Sequence, residues 1–295
     1  MSHTTLAIAL SVVRIVEYVG FVLVTGPLTL FGVVWPQGRR DRRLTRLMWA
    51  GIGLLAAATV AGPLVEAAAY DVGAVEAVGR LSATVALVRL AALAAVAAYL
   101  PDLVARDIHR WRLVAALGVV LVIVATMALQ SDAVSSRWSG LMVVVVMCHL
   151  TAVSAWLGGL VAMATVLLPG NRLGDLHGIL PSFSKVASTC VVTLLVTGVL
   201  HGIAVAGGIR PLLSTAFGAA LILKVCLFGL MLSLGELGRR YASRVAERRL
   251  EHFDETAAPA GIHALAVAVG AEITLAFGVL AATSVLAWFS PLNRT

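Results

Sequence analysis

The 295 residues are 60% hydrophobic and 13% charged, with a mean hydropathy of +0.98 and a formal net charge of +7. An ordinary soluble domain is about a quarter charged, so soluble enzymes and soluble binding modules are excluded and the chain reads as an all-α, polytopic membrane protein. Its basic balance is a matter of membrane topology and lipid contact, and no nucleic-acid partner is expected.

A membrane-spanning helix needs about 20 predominantly apolar residues. Eight segments meet this length, at 6–35, 47–70, 81–100, 113–130, 139–168, 185–207, 217–237 and 264–289. The start, MSHTT, lacks a basic n-region and the first apolar run is too long for a cleaved signal, so it is expected to remain as a helix. The first and fifth segments are long enough to tilt or bend, and Gly26-Pro27 is the expected kink in the first.

Charge between the segments sets the orientation. Arg39, Arg40, Arg42, Arg43 and Arg46 follow the first segment, and Arg106, Arg110 and Arg112 follow the third. Arg172 and Lys185 flank the loop after the fifth, and Arg239, Arg240, Arg244, Arg248 and Arg249 follow the seventh. The alternate loops hold little beyond Arg80, Arg137 and Arg210. Cytoplasmic loops collect Lys and Arg, so both termini are predicted to lie outside. The stretch 239–262 reads as a basic, partly helical loop at the inner leaflet.

A weak internal repeat divides the chain into a first four-helix half, 1–130, and a second, 131–295, within one integral membrane unit. Segment 33–40 resembles 166–173, 60–64 resembles 196–200, and 87–96 resembles 222–231, at offsets of 133, 136 and 135. Near-constant offsets predict two halves in the same orientation, related by an axis along the membrane normal. They also make Arg89 and Lys224 equivalent positions.

Six charged residues fall inside the apolar segments: the bases Arg14, Arg89 and Lys224 and the acids Glu17, Glu66 and Glu272. Counting about 1.5 Å per residue, most of them, with His149 and His201, lie in the outer half of their helices. The predicted polar interior therefore opens outward. Charge at such depth persists when it is paired, wetted or used. One reading is ion pairs that set helix packing, Arg14 with Glu17 or Glu66, and Lys224 or Arg89 with Glu272. The other is a functional intramembrane network.

Met142, His149 and Trp156 are spaced by seven and share one helix face, with Met147 and Cys148 adjacent to the histidine. Thioether, thiol and imidazole suit the soft ion Cu(I), and His201, flanked by Gly198 and Gly202, is the natural second imidazole. Two such histidines are also a candidate axial pair for haem b. A third reading makes His149 a satisfied core donor, as in a non-catalytic membrane subunit or assembly factor. Cys148, Cys190 and Cys226 have no paired spacing, so no disulfide framework is predicted. The chain contains no HExxH, CxxC, Walker loop or nucleophile elbow, and hydrolytic or nucleotide chemistry is not expected.

The second half resembles the copper resistance D (CopD) family of bacterial inner-membrane proteins. The matching pieces are HLTAVSAWLGGL at 149–160, FSKVASTCVVTLLVTGVLHG at 183–202, TAFGAALILKVCLFGLMLSLGELGR at 215–239 and VGAEITLAFGVLAATSVL at 269–286. The resemblance implies eight spans, a bacterial cytoplasmic membrane location, and transport or handling of copper beside a periplasmic copper-binding protein. It places His149, Trp156, Lys224 and Glu272 at recurrent family positions. The chain departs from the family at Gly238-Arg239, where an Asn-Arg pair is common, and has no Met- or His-rich outer loop to collect copper.

Overall fold

A computed structural model describes residues 3–70, 81–105, 110–131, 139–166 and 173–215. Of the remainder it describes residues 218, 219, 221–223, 225–230, 232, 233, 237, 270, 274 and 278. The described residues are helical and contain no strand. Six helices carry the architecture: α1 (His3–Thr29), α2 (Arg42–Tyr70), α3 (Leu81–Ala105), α4 (Arg110–Leu129), α5 (Ser139–Val166) and α6 (Leu173–Ala206), followed by the short α7 (Ile209–Ser214).

Five of these helices are long and apolar enough to cross a membrane: Ile8–Gly32, Arg42–Val65, Ala83–Val104, Ser139–Val166 and Pro181–Ala206. Shorter apolar stretches occur at Val114–Leu129 and Leu221–Leu230. The first six predicted segments are thus helical, the seventh is helical where it is described, and the eighth lies almost wholly outside the described residues. No more than 39% of any span is buried within the protein. The rest of each helix presents side chains such as Val12, Leu54, Leu87, Leu117, Val144 and Val196 to the surroundings. A water-soluble protein does not carry so much contiguous exposed apolar surface, and lipid is the medium that satisfies it. The chain is a multi-pass membrane protein.

Helix α1 packs against α2 and α5, α2 against α3, α3 against α4, and α4 against α5, which closes a ring of five helices. Helix α6 packs on α5 outside that ring. Lipid gives no hydrophobic drive for helices to associate, so close backbone approach and van der Waals contact carry the packing. The sequence supplies this with glycine where α1 meets α5 and α2. A Cβ on Gly26 would lie 2.2 Å from the Gly158 Cα, and one on Gly158 would lie 2.4 Å from the Gly26 Cα, so α1 and α5 meet backbone to backbone. Gly20 and Gly51 do the same for α1 and α2, with the Leu55 and Val24 backbones 2.6 and 2.8 Å from the missing Cβ atoms.

The predicted irregularity in the first segment falls later than expected. Helix α1 runs through Gly26-Pro27 and widens over Leu30–Val34 into a π-helical turn, closed by the Trp35 amide donating to the Leu30 carbonyl at 2.6 Å. Gly26 serves as a contact point with α5, and the proline is tolerated within the helix, as is common in membranes. A 3₁₀ turn, Pro36–Arg40, then leads into α2, whose first turn is capped by Asp41 Oδ1 accepting from the Arg43 amide at 2.8 Å.

Replacing Gly26 or Gly158 with Leu forces α1 and α5 apart. Such overpacking costs about 1–3 kcal/mol or more, and should appear as a lowered midpoint of thermal unfolding in detergent. Gly118→Leu, at a position with open space around it, should leave that midpoint within about 1 °C of the parent, on the general expectation that surface changes are close to neutral.

Candidate functional site

The ring encloses a charge. Arg89 on α3 is the largest fully buried side chain among the described residues, with 1% of its surface accessible. Its Nη1 donates to Glu17 Oε1 on α1 in an ion pair, its Nε donates to Thr126 Oγ1 on α4 at 2.9 Å, and its Nη2 donates to Gln130 Oε1 at 2.6 Å. Thr126 in turn donates to the Ile123 carbonyl at 2.6 Å. Three helices are therefore joined through one guanidinium, which is the group suited to this because its donors form a fixed planar fork.

This pairing differs from the sequence expectation. Glu17 is held by Arg89 from across the ring, whereas Arg14, three residues away, is exposed. The expected partner of Arg89, Glu272, and the equivalent base, Lys224, lie outside the described residues, as does the side chain of Glu66. Thr126 and Gln130 went unnoticed in the sequence. Their spacing of four at the end of an apolar helix is a faint signal, and nothing local links it to Arg89.

The second polar locus lies between α5 and α6. His149 Nδ1 is 2.9 Å from Thr197 Oγ1, and the Thr197 hydroxyl donates to the Thr193 carbonyl at 2.5 Å. With its hydrogen so directed, the Thr197 oxygen accepts from His149 Nδ1–H, which makes Nε2 the ring nitrogen that carries the lone pair. Gly198 packs beside the ring: a Cβ there would lie 3.6 Å from His149 Cε1, in ordinary contact. Lower on the same interface Gly159 faces the Phe183 ring, 2.5 Å from a would-be Cβ, so the helices run antiparallel in close contact.

Thr189, Thr193, Thr197 and His201 recur every four residues along α6, and the three threonines each donate to the carbonyl four residues earlier. Such bonding satisfies a hydroxyl inside lipid and leaves its oxygen able to accept. From the antiparallel register, His201 lies roughly 6 Å from Thr197 along the bundle, and Met142 about 10 Å from His149 in the same direction. Met142 is buried and His201 half-buried. No cluster of three or more His, Cys, Asp or Glu side chains occurs among the described residues. Of the predicted lining, Trp156 is buried and meets the Phe228 ring edge-on at 5.4 Å and 80°, Met147 is half-buried, and Cys148 is exposed.

If the Arg89 cluster is a satisfied ion pair, removing one partner should cost about 3–5 kcal/mol, while replacing both by apolar residues should be far milder. Arg89→Leu is thus expected to lower the unfolding midpoint steeply, and Glu17→Leu combined with Arg89→Leu to recover most of the loss. A double-mutant cycle of thermal unfolding in detergent measures this directly.

Residues 177–286 match the family described as Copper resistance protein D. Copper resistance protein D of Pseudomonas syringae pv. tomato is 28% identical over 141 residues, which cover 45% of this chain and 45% of that protein. Copper transport protein CutJ of Bacillus subtilis (strain 168) is 36% identical over 92 residues, 30% of this chain and 17% of that protein. The chain thus spans less than half the length of either relative. No solved structure matches it. Thr197 and His201 lie within the family match, whereas Met142, His149 and the Arg89 cluster precede it. The chain is thus similar to the copper resistance protein D family, with the family match over residues 177–286.

Proposed function

We propose that this chain transports or handles copper in a bacterial cytoplasmic membrane, through a polar path between α5 and α6 that opens outward with both termini on the outer side. The observation that carries the reading is the His149–Thr197 hydrogen bond. Histidines that bind metals characteristically have their other ring nitrogen fixed by a neighbouring acceptor, which sets the tautomer and the aim of the ligating nitrogen. Thr197 fulfils this for Nε2 of His149.

Copper is the cargo here. A Cu(I) ion entering from the outside meets the Met142 thioether, then His201, then His149, each a donor that suits a soft ion. Stations separated by single helical turns, rather than one closed coordination sphere, favour passage, since tight enclosure by one site would retain the ion. The buried Arg89 would repel such a cation, but Glu17 pairs with it, so the first half of the bundle carries a compensated charge. In this reading Lys224 and Glu272 gate the ion or couple protons to it. The relatives' names support copper, and a periplasmic copper-binding protein is the expected donor or acceptor at the outer face.

The test uses purified protein in nanodiscs with Cu(I) supplied from a competing chelator. His149→Ala should abolish most competition, and Thr197→Val should weaken Cu(I) affinity by about 10- to 100-fold, the usual effect of losing the group that orients a ligand. Thr151→Val, at an exposed site on α5, should have little effect. Unchanged affinity in both His149→Ala and Thr197→Val would overturn the site.

A further inference from the structure

The outward face of α2 presents a charge cluster joined to a shallow groove, and neither belongs to the copper path. Leu44, Met48, Gly51, Leu55 and Ala58 form the buried face of α2, turned towards its neighbours. On the opposite side, at helical spacing, Arg42, Arg46, Trp49, Gly53, Ala57 and Val60 are exposed and fall on one stripe. Arg43 is exposed beside it, and Arg40 is exposed in the preceding turn. The nearby Asp41 caps the helix by accepting from the Arg43 amide, and the Arg42, Arg43 and Arg46 side chains are all exposed on this face.

Positive charge at the start of a helix opposes the helix dipole, so these arginines do not serve the helix itself. Immediately below them the stripe becomes apolar. Gly53 has nothing within 4 Å of where a Cβ would stand, and with Ala50 and Ala57 it forms a floor of small residues. Trp49 borders this floor on one side and Leu54 on the other, 47% and 37% exposed. Arg46 lies roughly 10 Å above Gly53 along the helix, the distance from a phospholipid phosphate to its upper acyl chain. Tryptophan is the residue that favours the intervening headgroup level.

We propose that this face of α2 is a binding site for one anionic phospholipid of the adjoining leaflet. Its phosphate pairs with Arg42, Arg43 and Arg46, its glycerol lies beside Trp49, and one acyl chain fills the groove over Ala50, Gly53 and Ala57. Guanidinium groups engage phosphate through two parallel hydrogen bonds, and low dielectric at the membrane edge strengthens that pairing. A second copy of the chain is the competing occupant, since Gly53 and Ala57 have the spacing of a close helix contact. Two-fold pairing about the membrane normal would, however, bring two arginine clusters together, and like charges oppose it. The site is independent of the copper reading.

Native mass spectrometry of the full chain, released from nanodiscs containing phosphatidylglycerol and phosphatidylcholine in equal amounts, tests the assignment. The parent protein should retain phosphatidylglycerol in preference to phosphatidylcholine. Arg42→Gln with Arg46→Gln should reduce that retention at least tenfold, and Gly53→Leu should reduce it with every arginine intact. Circular dichroism of the variants verifies that they remain folded, which their exposed positions favour. Equal retention of both lipids, or undiminished retention in either variant, would overturn the proposal. Displacement of the lipid by millimolar inorganic phosphate would overturn it in favour of a simple anion site. A lipid-free dimer that Gly53→Leu converts to monomer would assign the groove to a second copy.

Discussion

One guanidinium determines how the first half of this protein is assembled. Arg89 sits in a ring of apolar helices, where an unpaired charge is expensive, and draws Glu17 from α1 and Thr126 with Gln130 from α4 into a single cluster. These bonds tie α1, α3 and α4 together at one depth and one set of facing sides. Apolar packing alone would allow sliding, since lipid competes for every Leu and Val surface on equal terms. The glycine contacts at Gly26–Gly158 and Gly20–Leu55 set how near the helices come, and the Arg89 cluster sets which faces meet.

The same division bears on the proposed copper path. Positive charge in the bundle opposes a passing cation, and a free arginine near His149 would argue against transport. Pairing with Glu17 removes that objection by keeping the first half's charge internal. The second interface is then free to offer weaker, softer groups. Its hydroxyls are anchored to their own helix, its histidine is oriented by Thr197, and its methionine is buried further out along α5. The α5–α6 interface thus pairs ring-to-glycine packing at Gly159 with a polar contact between His149 and Thr197.

Much of this was legible in the sequence because membranes leave few choices. Twenty-residue apolar runs must be helices, and the six described helices fall within a few residues of the predicted segments, apart from α6, which starts at Leu173 and not at 185. The extra turns contain polar residues and Pro181, which lower hydropathy without breaking the helix. His149 stood out because a lone imidazole in a valine run has no helical purpose. Its partner did not, because threonine is unremarkable in a membrane helix and the contact spans 48 residues. Arg89 was equally visible, and its pairing was misread for the same reason: proximity in sequence suggested Arg14 for Glu17, while the fold brings Arg89 from 72 residues away. Composition reveals which side chains need partners, and only three-dimensional packing decides which partners they receive.

The account turns on copper bound through His149. X-ray absorption at the copper K-edge, recorded on the purified protein in nanodiscs loaded with one equivalent of Cu(I), tests it most directly. A low-coordinate Cu(I) with an imidazole nitrogen contribution is predicted, and that contribution is lost in His149→Ala. A spectrum with oxygen ligands only, or one that His149→Ala leaves unchanged, would contradict it.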